Sequence, residues 1–267
     1  MTDLHAYELG DVLLLVLPLA TTSTVLAKLD QFIFSEDVQL GDVTQTFATI
    51  AVVGPEAAPV IATALEWDPS VLRALPEHGN VRQDAHGQPA VVLRISDAGV
   101  DGFDLIVARE ALAATVERLH TAGAVDVDDE TADILRIEAG VPLFGHDMDE
   151  ETIPLEAGIE SRAISFTKGC YVGQEIVIRV LHRGHGRVAR KLVGLVLPEG
   201  IAAPARGSAL AAGDKEIGRV TSSCVSPRLG RAIALGYVKR EIAEAATPVT
   251  TASGDTAAIV TLPFAAS

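Results

Sequence analysis

Cysteine is nearly absent from this chain: two thiols, Cys170 and Cys224, stand in 267 residues. Two cannot build a disulfide framework, and neither a CxxC pair nor a His/Cys cluster at zinc spacing accompanies them. A reducing compartment without a structural metal is the expectation. Basic residues are also scarce, 21 against 36 acidic, for a formal charge of -15. That balance works against unspecific adhesion to nucleic acid or anionic membranes, so a polyanionic partner has to be met locally. Long apolar runs are missing too: the longest, Val12 to Leu17, stops at Pro18, well short of the roughly 20 residues a membrane crossing needs. The N-terminal "MTDLHAYELGD" has no basic stretch leading into an apolar one, which excludes a signal peptide there. A cytoplasmic protein is expected, with no membrane and no direct nucleic-acid partner.

What is present supports a substantial core. Hydrophobic residues make up 48% of the chain, and the length favours two domains. "DVLLLVLP" reads as a buried strand. "TTSTVLAKLDQFIF" reads as a helix capped by Thr22 or Ser23, with Val25, Leu26, Leu29, Phe32 and Ile33 on one face. "FATIAVV" is a strand closed by Gly54-Pro55, followed by a helical "EAAPVIATALEW". "AVVLRIS" and "FDLIVA" are further strands, and "REALAATVERLHTAG" is a long helix. "DDETADILRIEAG" is a helix with Asp128 as cap and Gly140 as stop. Beyond Lys191 the pattern changes to short apolar segments, "LVGLVL", "EIGRVTSSCV", "AIALGYV", "PVTTA" and "AAIVTLPF", separated by Gly, Pro and Ser turns. That is the pattern of a small β-barrel or sandwich. The boundary falls near Arg190, giving domains 1–190 and 191–267.

Charge has one local anomaly. Between Ser161 and Lys191 stand Arg162, Lys168, Arg179, Arg183, Arg187, Arg190 and Lys191, with Glu175 the single acid. A basic island in an acidic chain fits a local anionic ligand, or a solvated face at a domain junction. It surrounds "SFTKGCYVGQE", Ser165 to Glu175. Nearby Lys or Arg lowers a thiol's pKa and favours the reactive thiolate, and Gly169 and Gly173 allow close approach of a ligand. The competing reading is a small inert residue in a core. If "GQEIVIRVLHRG" is a helix, Glu175, Arg179 and Arg183 form a ladder on one face; if it is a strand, the ladder disappears.

"KGCYVGQE" resembles the signature of the YgfZ-type folate-binding proteins, relatives of the glycine-cleavage T-protein, an aminomethyltransferase. "LRIEAGVPLFGHDMDEETIPLEAG" is similar to a segment that superfamily shares, and "GRVTSSCVSPRLGRAIALGYVKRE" resembles its C-terminal barrel. The resemblance implies an α+β fold, a cloverleaf of ferredoxin-like α+β subdomains with a small C-terminal β-barrel, and a tetrahydrofolate-type ligand. It places Glu138 against the pterin ring, where a carboxylate can accept two parallel hydrogen bonds. Asp3 falls on the aspartate near the reactive folate nitrogen, and Tyr171 and Arg179 join the folate-binding set. Cys170 is the functional thiol, with Lys168 beside it, in the motif that Gly169, Gly173, Gln174 and Glu175 complete. The N-terminal stretch resembles an internal part of the family, so a leading segment is expected to be missing, leaving an exposed sheet edge and weaker folate binding.

The remaining motifs are weak. "RGHGR" is no dinucleotide fingerprint, His182 and His185 lack a third metal ligand, and "HDMDEE" lacks calcium-loop spacing and reads as a solvated helix entry. Two functions stay open. One is a folate-binding accessory factor in iron-sulfur cluster assembly or repair, acting through Cys170 with cluster enzymes such as those that thiolate tRNA, or with cluster carriers, as partners. The other is a folate-dependent aminomethyl or methyl transferase. A single cysteine cannot hold a four-iron cluster alone.

Overall fold

The computed structural model describes residues 2–171, 173–183 and 187–264. Two compact units divide the chain, 1–128 and 129–267.

The first unit is built on a four-stranded antiparallel sheet in the order β3 (Phe47–Val53), β6 (Gly102–Ala108), β5 (Gln88–Arg94), β4 (Asn80–Ala85). Strand alternation sorts its side chains onto two faces. Phe103, Leu105 and Val107 of β6, with Ala90 and Val92 of β5, pack against α2 (Ala57–Leu65) and its neighbours. The other face carries Leu93 and Ile106, which pack with Tyr7 of the two-stranded sheet β1 (His5–Glu8) and β2 (Leu13–Val16). The short α3 (Pro69–Arg73) starts on Asp68, whose carboxylate accepts from the Ser70 amide at 2.8 Å, with Pro69 in the first turn. Strand β4 escapes a sequence reading because "NVRQDA" is largely polar. Its pairing is fixed by a two-residue turn, His86-Gly87, with both φ positive.

The expected helix near residue 22 forms as α1 (Thr22–Asp30), but not as read. Neither Thr22 nor Ser23 is the cap: the position before the helix is Thr21, whose hydroxyl donates to the Pro18 carbonyl. The anticipated buried face reduces to Val25; Leu29 and Phe32 are exposed, and the helix ends before Phe32. Helical spacing gave these residues a common side, but the described residues of the unit cover it only at Val25 and, in part, at Leu26 and Ile33. The helix α4 (Leu112–Thr121) follows β6 as expected and buries Thr115 and Leu119.

The second unit opens with α5 (Asp129–Glu138), continues through three short helices, α6 (Pro154–Ala157), α7 (Glu160–Ala163) and α8 (Gln174–Ile178), and ends in a closed barrel. Six strands form it: β7 (Arg190–Val196), β8 (Ala209–Ala212), β9 (Lys215–Ser226), β10 (Arg231–Lys239), β11 (Pro248–Thr251) and β12 (Thr256–Val260), closing in the order β10-β7-β12-β11-β8-β9. The α+β class with a small C-terminal barrel matches the expectation. Leu195, Leu210, Val220, Val238, Val249 and Ile259 fill the interior. Ile233 and Leu235, on the outer side of β10, are covered by Ile137 of α5 and Phe264.

Gly140 ends the region of α5 as predicted, at φ +70°, with the Val141 amide donating back to the Arg136 carbonyl at 2.9 Å. A Cβ there would also meet Leu262 at 2.8 Å. Gly218 is required by a different constraint: a Cβ on it would come within 1.9 Å of the Tyr237 carbonyl, where β9 and β10 run closest. The pairing of β9 shifts register nearby on both sides, opposite Leu235/Gly236 and opposite Leu210/Ala211. Such bulges re-aim the side chains that follow them.

Candidate functional site

The cysteine loop is on the surface. Cys170 is exposed, which removes the reading of a small residue in a core. The loop is held locally: the Lys168 amide donates to the Ser165 hydroxyl at 3.2 Å, and the Tyr171 amide to the Gln174 side-chain oxygen at 3.3 Å. The Lys168 ammonium lies 4.7 Å from the centre of the Tyr171 ring, a cation–π contact. Gly173, at φ +91°, leads into α8; Gly169 has no positive φ. The open choice for "GQEIVIRVLHRG" is decided for helix, as α8 followed by a π-helical turn over Arg179–Arg183. Glu175 and Arg179 are nevertheless not ion-paired. Gly184, His185 and Gly186 of "RGHGR" lie outside the described residues.

The two thiols differ sharply. Cys224 is half-buried, and burial, with Glu138 adding repulsion, pushes its thiol up to about 12. At pH 8 roughly one such thiol in ten thousand is ionised. Iodoacetamide at pH 8 is therefore expected to add once per chain, at Cys170, and not at all to Cys170→Ser. Intact-mass spectrometry reads this directly, and a second adduct on the folded chain would contradict the assignment.

Glu138 is buried and fully engaged. One carboxylate oxygen accepts from the Ser226 hydroxyl, and the other faces Arg228 Nε at 3.3 Å. Its carbonyl accepts from the Phe264 amide at 3.2 Å. These bonds tie the end of α5 to the β9–β10 turn, so a pterin at Glu138 would compete with two protein donors. "HDMDEE" is not a solvated entry: the Asp147 side chain is fully buried and accepts from Arg136 Nη1 at 2.8 Å, the Leu143 amide at 3.0 Å and the Thr221 hydroxyl. Among the described residues, no group of three or more His, Cys, Asp or Glu side chains is arranged to hold a metal, and no helix is long and apolar enough to cross a membrane.

A carboxylate that sequence reasoning missed stands in the first unit. Asp104 lies on β6 between Phe103 and Leu105, so alternation turns it to the face shared with Ile106, under β1. No cation or hydrogen-bond donor among the described residues pairs with it. Burial, helped by Asp97, pushes its carboxyl up to about 6. Tyr7 is almost fully buried beside it, its hydroxyl without a partner; burial, then Asp104, Asp97 and Glu77, push the phenol up to about 12. His78 has φ +59°, a left-handed conformation that is costly for a side chain of its size, and its buried Nδ1 has no partner. His5 bridges the two, its ring 6.2 Å from Tyr7 and 5.2 Å from His78. Two buried polar atoms and a half-buried carboxylate in one place, without partners among the described residues, are the usual mark of a ligand or ordered water. The readable signal was an acid in the apolar strand "FDLIVA". Asp3, by contrast, is exposed two residues before β1.

Residues 1–168 match the family of the GCVT N-terminal domain, and residues 190–265 match the glycine cleavage T-protein C-terminal barrel domain. The chain belongs to the glycine cleavage T-protein family.

Its similarities follow the same line. An aminomethyltransferase of Rubrobacter xylanophilus is 36% identical over 90% of this chain and 62% of that protein. One of Streptomyces coelicolor is 33% identical over 89% of the chain and 64% of its own length. The chain thus spans less than two thirds of these T-protein relatives. The solved glycine cleavage system aminomethyltransferase T of Bartonella henselae superposes with a TM-score of 0.83 at 25% identity, covering 99% of this chain and 72% of that one. Gly169 to Ala189, which includes most of "KGCYVGQE", falls between the two T-protein matches.

Proposed function

We propose that this T-protein relative binds a tetrahydrofolate-type ligand and serves folate-dependent transfer of an aminomethyl or methyl group. The observation that carries the reading is Asp104, a half-buried carboxylate with no cation paired to it among the described residues, beside the unpartnered Tyr7 hydroxyl and His78 Nδ1. A 2-amino-pyrimidinone edge offers two parallel N–H donors, which a carboxylate accepts side by side. Tyr7 and His78 supply the further polar contacts such a ring needs. Folate supplies the nitrogen that receives the one-carbon unit. The chain's own part is to bind and orient it, with Asp3 at the open end of the segment leading into β1. Residues 1–190 form the folate-binding region in this reading, and the barrel follows. The names of the relatives above, aminomethyltransferases, favour transfer over other uses of the fold.

The accessory role in iron-sulfur assembly rests on a separate observation, the exposed Cys170 with Lys168 in its loop. It takes second place, because most of that loop lies outside the matched family segments and no group of three or more His, Cys, Asp or Glu among the described residues could complete a ligand set for a cluster.

Isothermal titration with 5-formyltetrahydrofolate tests the first reading. Saturable binding at a Kd of about 1 mM or tighter (about −4 kcal/mol or better), with no change in Cys170 alkylation, is expected. Absence of saturation would sink it, and protection of Cys170 by the folate would move the assignment to the accessory role.

A further inference from the structure

The barrel carries a second concavity, in the second unit and unrelated to Asp104, with apolar walls and charged side chains around them. A groove of about 1060 Å³ opens on the outer side of β7, β10 and the bulged part of β9. Tyr237 lines it. Only 6% of that residue is exposed, and its buried hydroxyl has no hydrogen-bond partner among the described residues. Leaving a buried hydroxyl unbonded costs free energy, so such a group marks a missing acceptor or donor.

The surroundings say which. Val238 and Val220 point into the barrel, so their neighbours on the strands point out. Directly across from one another on that outer side are Lys239 and Arg190, and, one step along, Tyr237 and Arg219. Like charges set opposite on paired strands are unfavourable unless an anion lies between them. The Arg190 guanidinium sits 4.7 Å over the Tyr237 ring and donates through Nε to Glu156 at 2.9 Å. Arg219 donates through Nε to Glu216 at 3.3 Å. Lys239 has no carboxylate within ion-pair distance among the described residues. Burial raises the Tyr237 phenol above its ordinary value, so it is protonated at neutral pH and available as a donor.

The remaining acids set the size of the charge. Glu151 and Glu241 also line the groove, and with Glu156 and Glu216 they balance its four basic residues, Arg190, Arg219, Lys239 and Arg206, the last donating to the Gly145 and His146 carbonyls. A polyanion such as a nucleic-acid backbone is disfavoured there. A small ligand with one or two carboxylates is not, and the volume accommodates a body of ordinary ligand size.

We infer that this groove is a binding site for a small mono- or dicarboxylate, its carboxylate accepting from the Tyr237 hydroxyl and lying between Arg190 and Lys239. The site goes beyond the folate reading and does not depend on it.

The test is a calorimetric titration of the full chain with glutarate, and separately with inorganic phosphate, in wild type, Tyr237→Phe and Lys239→Gln. Saturable glutarate binding is expected, weakened about tenfold or more in each variant. Tyr237→Phe keeps the ring under Arg190 and is expected to melt at or above the wild-type temperature, because it removes an unbonded buried hydroxyl. No saturation by glutarate, or equal affinity in Tyr237→Phe, would overturn the site. Saturation by phosphate alone would overturn the carboxylate assignment. A lower melting temperature for Tyr237→Phe would show that the hydroxyl is bonded within the protein and would remove the basis of the inference.

Discussion

Arg136→Ala is expected to cost the second unit about 3–5 kcal/mol of stability. Arg136 is only 12% exposed in its side chain, and Asp147 not at all. Every nitrogen of the guanidinium has work: Nε donates to Asp133 at 2.6 Å, Nη1 to Asp147 at 2.8 Å and to the Val141 carbonyl at 3.2 Å, and Nη2 to Ser222 at 2.9 Å. These bonds join α5, the loop after it and strand β9. Truncation leaves the Asp147 carboxylate charged, buried and without its cation, which is the costly way to break an ion pair. Urea denaturation, with hydrogen exchange at β9 and β10 amides to localise the loss, measures it. Arg136→Met with Asp147→Asn removes both charges and is expected to recover a good part of the deficit. A loss below about 1 kcal/mol for Arg136→Ala would place the pair among surface bridges of little worth.

This network also shows what the sequence could and could not disclose. The barrel strands were legible because turn residues punctuate each apolar run, and most of the first sheet because β3, β5 and β6 are apolar and bounded by Gly or Pro. Strands β4 and β8 were not: one is polar, and the other is four residues, three alanines around Leu210, whose burial comes from closure of the barrel. "HDMDEE" looked solvated because acids usually are; only the fold brings Arg136 and Thr221 to Asp147. The ligand role of Glu138 came from the resemblance alone, and its partners Ser226 and Arg228, some 90 residues away, could not be read from the sequence. The face predicted for α1 illustrates the opposite failure, a periodic pattern with nothing to pack against. The cysteine loop was visible as a motif, but no periodicity tells whether a loop lies on the surface.

The second large effect concerns Asp104, and it separates a merely buried carboxylate from one that waits for a ligand. Its carboxyl titrates near 6 in the folded chain against 3.8 when free, because burial and Asp97 oppose its ionisation and no cation compensates. Below about pH 3 the group is protonated whether the chain is folded or not, and it costs nothing. As pH rises from about 3 to about 6 the unfolded chain ionises freely while the folded chain resists, so stability falls and then levels off. At neutral pH the accumulated cost is about 3 kcal/mol. Asp104→Asn is expected to remove that fall, melting well above wild type at pH 7.5 and close to it at pH 4. Tyr7 cannot produce the same profile, because its phenol titrates near 12. Stability alone would be explained by any buried acid, so the affinity for 5-formyltetrahydrofolate decides the role. If the carboxylate is held in this costly state to receive a pair of N–H donors, the stabilised variant binds the folate about ten- to a hundredfold more weakly. If it binds equally well, Asp104 is a half-buried charge without a part in the site, and the ligand lies elsewhere. If neither the melting profile nor the affinity moves, the carboxyl is better solvated than its place under β1 implies, and the observation on which the folate reading stands is withdrawn.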